Sequence, residues 1–368
     1  MEPFKNHLNE QAACKIAQAI YVQYPQFDRA LFSENLSQKL QPLALKERMR
    51  LLAQRLIDQL PQDIEYSFDI LVRALKNEAS NPLGLSGFLV WPLTEVIAQT
   101  GMQDFECAMN ALKETTKVFT SEFAVRPFFI EHESKTLEQF SKWLNDPNEH
   151  VRRLVSEGSR PLLPWGQKLS RFVENPHLTW PFLDALKGDP ALYVRKSVAN
   201  HINDHSKKSP EFVLDRLQKW QQKGEKNLHI EWLIRHATRT LIKKGVSSAF
   251  ELQGITQNKV TLIDAKIITP SIKLGMSLKV EVVVFNQSPE SVRVMLDHEL
   301  DLLRANGKHH IKVFKGKIIS LASGETQKIA LALTLKAVTV RRYYSGRQFW
   351  CIKLNGCDTP KQPFELIV

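Results

Sequence analysis

Asp146-Pro147-Asn148-Glu149-His150-Val151-Arg152-Arg153 returns 43 residues later as Asp189-Pro190-Ala191-Leu192-Tyr193-Val194-Arg195-Lys196. Each copy reads as a helix start: Asp as the cap, Pro in the first turn, then a Val-Arg pair on the buried and inner faces. Outward from this pair, apolar residues recur at i, i+3, i+4 and i+7 from residue 10 to about 250, which predicts helix after helix. Segments 43–56 and 64–75 are clear cases. The breaks fall at Pro42, Pro61, Pro82, Gly101, Pro147, Gly188-Asp189-Pro190 and Pro210, residues that stop helices by removing an N–H or by freeing the backbone. The spacing predicts a last helix over 231–245, ending in Lys243, Lys244 and a terminating Gly245.

The 43-residue interval and its Asp-Pro…Val-Arg signature resemble HEAT repeats, whose period is about 40–47 residues. A partial echo links Ser121-Glu122-Phe123-Ala124-Val125-Arg126-Pro127 with Ser156-Glu157-Gly158-Ser159-Arg160-Pro161, offset by 35. From Val260 the pattern changes to short alternating or β-branched runs near 260–263, 277–285, 293–298, 311–314, 326–331 and 348–354, separated by Asn306-Gly307, Ser323-Gly324 and Asn355-Gly356. About seven strands in roughly 110 residues is the size of an immunoglobulin-like sandwich. The expected architecture is therefore multidomain α + β: an all-α HEAT-like repeat solenoid over 1–255, then an immunoglobulin-like β-sandwich over 256–368.

The chain has 368 residues, 43% of them hydrophobic and 24% charged, which is ordinary for a soluble protein. It holds no apolar run of about 18 residues that could span a bilayer, and Met1-Glu2-Pro3-Phe4-Lys5-Asn6-His7 lacks the apolar core of a secretory signal. A cytoplasmic monomer, away from membranes, is expected. Cys14, Cys107, Cys351 and Cys357 are scattered without Cys-x-x-Cys spacing, and the 11 histidines form no metal-binding motif, so neither metal nor cofactor is expected. The net charge of +11 points to a polyanionic partner. Residues 258–368 hold 17 Lys and Arg against 9 Asp and Glu, a net of +8, which makes the tail the more basic module.

Glu122 and Glu157 occupy similar places in the two echoing segments, each followed by an Arg-Pro. Two carboxylates in a basic groove repel phosphate, yet they suit a reaction that builds positive charge on a sugar, as cleavage of an N-glycosidic bond does. A simple pairing of each Glu with a neighbouring arginine is the competing reading. Trp91, Trp143, Trp180, Trp220 and Trp232 lie on helical apolar spacings and are expected in the core. Trp165, after Pro161-Leu162-Leu163-Pro164, reads either as a core plug or as a site residue.

The stretches 120–128, 150–165 and 197–204 closely resemble the AlkC branch of the AlkC/AlkD HEAT-like DNA glycosylases. The resemblance spans nearly the whole chain, including Thr339-Val340-Arg341-Arg342-Tyr343-Tyr344 in the tail. It implies release of 3-methyladenine and 3-methylcytosine from double-stranded DNA without a deep base-flipping pocket. Position by position, it implies Glu122 and Glu157 beside the deoxyribose, Trp165 against the lesion nucleotide and Asp204 as a further acidic neighbour. Arg152, Arg160 and Arg195 would hold phosphates or orient the carboxylates. Arg341 and Arg342, flanking Tyr343 and Tyr344, would touch the DNA backbone. A non-catalytic binder of branched or damaged DNA is the alternative, and a general protein-binding scaffold ranks last.

Overall fold

A computed structural model of the chain describes residues 3–77, 80–223, 228–338 and 341–368. Met1, Glu2, Thr339 and Val340, quoted above, lie outside the described residues. The chain divides into two compact units, Met1–Lys208 and Ser209–Val368. Among the described residues no helix is long and apolar enough to cross a membrane.

Among the described residues the first unit is built of helices, with isolated β-bridges Leu75–Leu85 and Asn77–Asn81, and the repeated octapeptide builds the same turn twice. The helices it opens are Glu149–Gly158 and Leu192–His205. Asp146 and Asp189 do not cap these helices as the sequence suggests. Each lies two residues before the cap and accepts a backbone N–H inside the connecting turn, from Asn148 at 2.9 Å and from Ala191 at 2.8 Å. The repeated arginine completes the turn: Arg152 Nη1 donates to the Asp146 and Pro147 carbonyls at 2.8 and 3.1 Å, and Arg195 Nη1 to those of Asp189 and Pro190 at 2.5 and 2.8 Å. Arg152 also forms a bidentate pair with Asp189 of the next copy, through Nε at 2.6 Å and Nη2 at 3.1 Å. Val151 and Val194, one residue before each arginine, are fully buried. The repeat is therefore a packing device whose polar residues satisfy a buried turn.

The second unit begins with helices Pro210–Lys223 and Leu228–Ala237. The single helix expected over 231–245 breaks at Thr238, and Arg239–Lys243 follows as a separate short helix. The Thr238 hydroxyl donates to the Ile234 carbonyl at 2.8 Å and accepts from Gln253 at 2.9 Å, the back-bonding that bends helices. Gly245 has φ +76°, the left-handed terminator read from the sequence. Trp91, Trp143, Trp180 and Trp220 are buried as expected. Trp232 departs from expectation: it is only half-buried and stacks on His236 with centroids 5.2 Å apart.

Among the described residues nine strands complete this unit: β1 Val260–Ile267, β2 Ser271–Lys273, β3 Ser277–Asn286, β4 Val292–Leu303, β5 His309–Leu321, β6 Thr326–Thr334, β7 Gly346–Leu354, β8 Cys357–Asp358 and β9 Gln362–Ile367. They form one sheet of order β1-β3-β6 and a second of order β2-β9-β7-β4-β5, with β8 against β7. All pairings are antiparallel except β2 with β9. Leu278, Val280, Val282 and Val284 alternate inward along β3 and meet Leu300, Trp350 and Phe364 in the sandwich core. Asn355 and Gly356, at φ +49° and +82°, make the tight β7–β8 turn that the Asn-Gly pair predicts.

Candidate active site

A helix leaves its last four carbonyls without intrahelical partners, and at the end of Glu149–Gly158 every one is satisfied from a different direction. Val155 O accepts the Ser159 hydroxyl at 2.6 Å, Ser156 O accepts His201 Nδ1 at 2.9 Å, Glu157 O accepts the Arg160 amide at 3.3 Å, and Gly158 O accepts Arg126 Nη1 at 2.9 Å. Gly158 lacks a Cβ that would otherwise lie 2.7 Å from Val125 Cγ2, so the helix end packs closely on the segment carrying Glu122. The last turn of this helix is thereby fixed, and Glu157 is on it.

Its carboxylate is fully engaged. Glu157 Oε1 faces Arg160 Nη1 at 2.7 Å and Arg153 Nη2 at 3.4 Å, while Oε2 accepts the Ser197 hydroxyl at 2.5 Å. Arg153 reaches the other way to Glu122 Oε2 at 2.5 Å, and Thr120 donates to the same oxygen at 2.9 Å. One guanidinium thus bridges the two carboxylates predicted to share a groove. Glu122 Oε1 meets no hydrogen-bond donor among the described residues. Arg160 Nε holds Asp204 Oδ2 at 2.9 Å, and Lys207 holds Asp204 Oδ1 at 3.1 Å.

Burial lowers the proton affinity of Arg153, but Glu157 and Glu122 outweigh it and hold the pKa above the usual arginine value. Arg160 is raised in the same way, burial being overcome by Glu157 and Asp204. Arg126 is lowered to about 10 by its burial and by Arg160, and at neutral pH it keeps its charge. Its Nε donates to the Gln167 carbonyl at 2.5 Å, so Arg126 ties the Glu157 helix end to the loop that follows Trp165. Glu122, Glu157 and Asp204 with Arg153 and Arg160 form one network of direct ion pairs, while Arg126 beside it is held by two carbonyls.

Glu122, Glu157 and Arg160 make one end of a cavity of about 320 Å³, at the lower limit of small-ligand sites, about 300–1,000 Å³. Its walls are aromatic: Phe88, Trp91, Phe119 and Phe123, with Trp91 stacked on Phe123 at 5.3 Å. Leu163, Pro164 and Trp165 complete it. Trp165 is 61% exposed and has φ +64°, a conformation that costs a non-glycine residue about 1–2 kcal/mol. Lys46 holds its carbonyl and Phe4 meets its ring edge-on at 6.4 Å. A large apolar side chain is thus kept exposed at the rim in a strained backbone. A larger cavity of about 1340 Å³, between residues 14–33 and 81–89, has no comparable cluster of ionisable groups.

The structure brings together Glu122, Glu157, Arg160, Trp165 and, behind Arg160, Asp204. Asp204 is 2% exposed and reaches the cavity only through Arg160, so it sits behind the wall and not in it. Arg152 and Arg195 are not brought to the cavity: their guanidiniums bond to the carbonyls of the repeat turns, and Arg152 also pairs with Asp189. Arg341 belongs to the second unit, donates to Tyr343 Oη at 2.9 Å and lies over the Phe314 and Tyr343 rings; Arg342 is exposed over Tyr344. The sequence reading missed Arg153, Arg126, Ser197 and the aromatic walls. Arg153 and Arg160 are respectively four residues before and three residues after Glu157, the spacing at which helical side chains meet, and that rule points to both.

Residues 261–368 match the family described as "Uncharacterised protein YhaZ, C-terminal Ig-like domain". Over its length the chain is similar to the uncharacterized protein YhaZ of Bacillus subtilis (strain 168), 34% identical over 358 residues that cover 97% of both chains. Among solved structures it is similar to the Pseudomonas fluorescens alkylpurine DNA glycosylase AlkC bound to DNA containing an abasic site analog, with a TM-score of 0.90, 34% identity and 100% of both chains covered.

Proposed function

We propose that this chain, which belongs to the family of AlkC and YhaZ, is a DNA glycosylase that hydrolyses the N-glycosidic bond of alkylated bases, 3-methyladenine and 3-methylcytosine, in duplex DNA. The observation that carries this reading is the pair Glu122 and Glu157, bridged by Arg153 at the polar end of an aromatic cavity. A methylated base that already carries a positive charge needs no general acid: the bond's electron pair moves to the base, which leaves neutral, and positive charge develops on the sugar. Carboxylates fixed in advance stabilise that charge without reorganising. Glu122 Oε1 then accepts a proton from the water whose oxygen bonds to C1′, leaving an abasic site.

The aromatic walls favour a cationic ring, because their faces are electron-rich. Trp165, exposed at the rim, packs against the lesion nucleotide. Asp204 and Arg160 keep Glu157 in place, and Arg341 and Arg342 contact the DNA backbone from the second unit. On this reading the enzyme acts as a cytoplasmic monomer without metal or cofactor.

The test is release of free methylated base from methylated duplex DNA by wild type, Glu122→Gln and Glu157→Gln. Wild type is expected to release base, and each variant to be slower by about 10²–10³ while still binding DNA, the scale of losing one electrostatic contact to a transition state. If wild type binds DNA and releases nothing, the chain is instead a binder of damaged DNA.

A further inference from the structure

The Leu192–His205 helix places two histidines one turn apart behind Glu157. His201 is fully buried and His205 is 1% exposed, with ring centroids 4.9 Å apart. Thr179 Oγ1 lies between them, 3.2 Å from His201 Nε2 and 3.0 Å from His205 Nε2. Ser156 O can only accept, so His201 Nδ1 carries the proton and its Nε2 is a bare acceptor. The Thr179 hydroxyl must therefore donate to His201, and its oxygen accepts Nε2–H of His205. His205 Nδ1, the end of this chain, is buried with no partner. With both rings neutral, each tautomer follows from the one before it and every donor in the series meets an acceptor.

We propose that His201, its tautomer set by the Ser156 carbonyl and matched by Thr179 and His205, is a positioning residue for Glu157: it pins the Ser156 carbonyl, and so the peptide that carries the carboxylate. The need for it follows from the helix end. Arg126 pins the carbonyl after Glu157 and His201 the carbonyl before it, both at 2.9 Å. With both held, the Glu157 side chain cannot follow the pull of Arg153, Arg160 or an arriving substrate by shifting its own backbone. The charged groups around His201 also keep it neutral: burial, then His205, Arg160 and Arg126, hold it well below the usual histidine value, against the pull of the Ser156 carbonyl. Burial holds His205 at about 4.

The proposal rests on the glycosylase reading for its activity readout, so the test carries a second readout that does not. His201→Asn places an amide N–H where Nδ1 stood, whereas His201→Gln carries its amide one bond farther out, toward Thr179, and orphans Ser156 O. In the full chain, amide hydrogen exchange across residues 155–160 is expected to quicken by about tenfold or more in His201→Gln and to return toward wild type in His201→Asn, as loss and repair of one buried hydrogen bond require. Single-turnover base release is expected to fall by about tenfold in His201→Gln and to recover to within about threefold in His201→Asn, with affinity for an abasic-site duplex unchanged in both. A group that merely fills space would lower rate and affinity together, and Asn would not rescue it. Unchanged exchange in His201→Gln, or His201→Asn no better than His201→Gln, overturns the proposal. If wild type releases no base, the glycosylase reading falls and the exchange result alone decides this one.

Discussion

Each unit buries a knot of charge, and the two are built differently. In the helical unit, Glu122 and Glu157 are drawn together by one guanidinium, with Arg160 and Asp204 behind. In the sandwich, Glu299 on β4 faces Lys353 at 3.3 Å and Lys361 at 4.0 Å, and Lys361 also meets Asp301 at 3.0 Å. Lys353 also reaches Asp358, whose side chain is 71% exposed, and the neighbouring Cys351 thiol is pushed up to about 11 by its burial and by Glu299, which makes it unreactive. The second knot spans strands β4 and β7 and opens to water at Lys361 and Asp358, while Lys353 is buried. The first holds like charges in proximity beside an aromatic cavity. Buried ion pairing is common to both, so it does not identify a site. What sets the first apart is that both carboxylates sharing Arg153 are largely shielded from water and line the aromatic cavity, whereas the second carboxylate on Lys353, Asp358, stands in solvent.

The comparison breaks most readily at the bridging cation. Arg153→Met leaves Glu122 and Glu157 facing each other with less compensation and is expected to cost about 3–5 kcal/mol, the scale for orphaning a buried charge, and to abolish base release. Lys353→Met leaves Glu299 near Lys361 and is expected to cost less than about 2 kcal/mol with base release unchanged. Chemical denaturation and the release assay, run on both variants, decide it. Equal losses of stability would make the two knots the same kind of structure.

Acid is expected to separate the units next. The helical unit buries His201 and His205 neutral; the sandwich buries His298, which accepts Trp350 Nε1–H at 3.0 Å and is held at about 4 by burial. Histidines depressed in the folded state leave protons to the unfolded chain as soon as the pH drops below about 6.5, so the stability they allow is complete above that value and is lost as the pH falls toward 4. With about 1.4 kcal/mol per pH unit for each proton, the helical unit is expected to lose about 3 kcal/mol per pH unit and the sandwich about 1.4 kcal/mol per pH unit over the steep part of this range. Hydrogen exchange followed separately in residues 149–205 and 292–354 between pH 7 and pH 5 measures the two slopes. Parallel slopes would mean that the histidine pair of the helical unit is not buried neutral.

The smallest effect concerns stored strain. Trp165→Gly removes a non-glycine residue from φ +64° and exposes little new core, so stability is expected to stay level or rise by up to about 1 kcal/mol. Base release is expected to fall at the same time. A variant that is as stable and as active as wild type would deny the rim tryptophan any role.

Much of this was legible beforehand. The helical array, the change at Val260, the Asn355-Gly356 turn and the terminating Gly245 follow from local rules of periodicity and backbone freedom. Glu122 and Glu157 were found because their segments echo one another. The repeated arginines illustrate the limit. Arg152 and Arg153 are adjacent and identical, and a helix turns about 100° between them, so one closes the repeat turn while the other bridges the carboxylates. No pattern in the sequence says which is which. The break at Thr238 was likewise hidden, because it depends on Gln253, fifteen residues on, accepting a role as the threonine's donor.

The sequence by itself determined which segments coil and which extend, where they stop, how basic the tail is and which two carboxylates belong together, since each of these depends on neighbours within a turn or a strand. Only the tertiary structure decided that Arg153 rather than Arg152 joins those carboxylates, that Asp204 stands behind Arg160, that four aromatic rings wall the cavity and that two neutral histidines brace Glu157. The contacts that decide these join residues from 22 to 45 positions apart, and their partners are chosen by packing, which local rules do not contain.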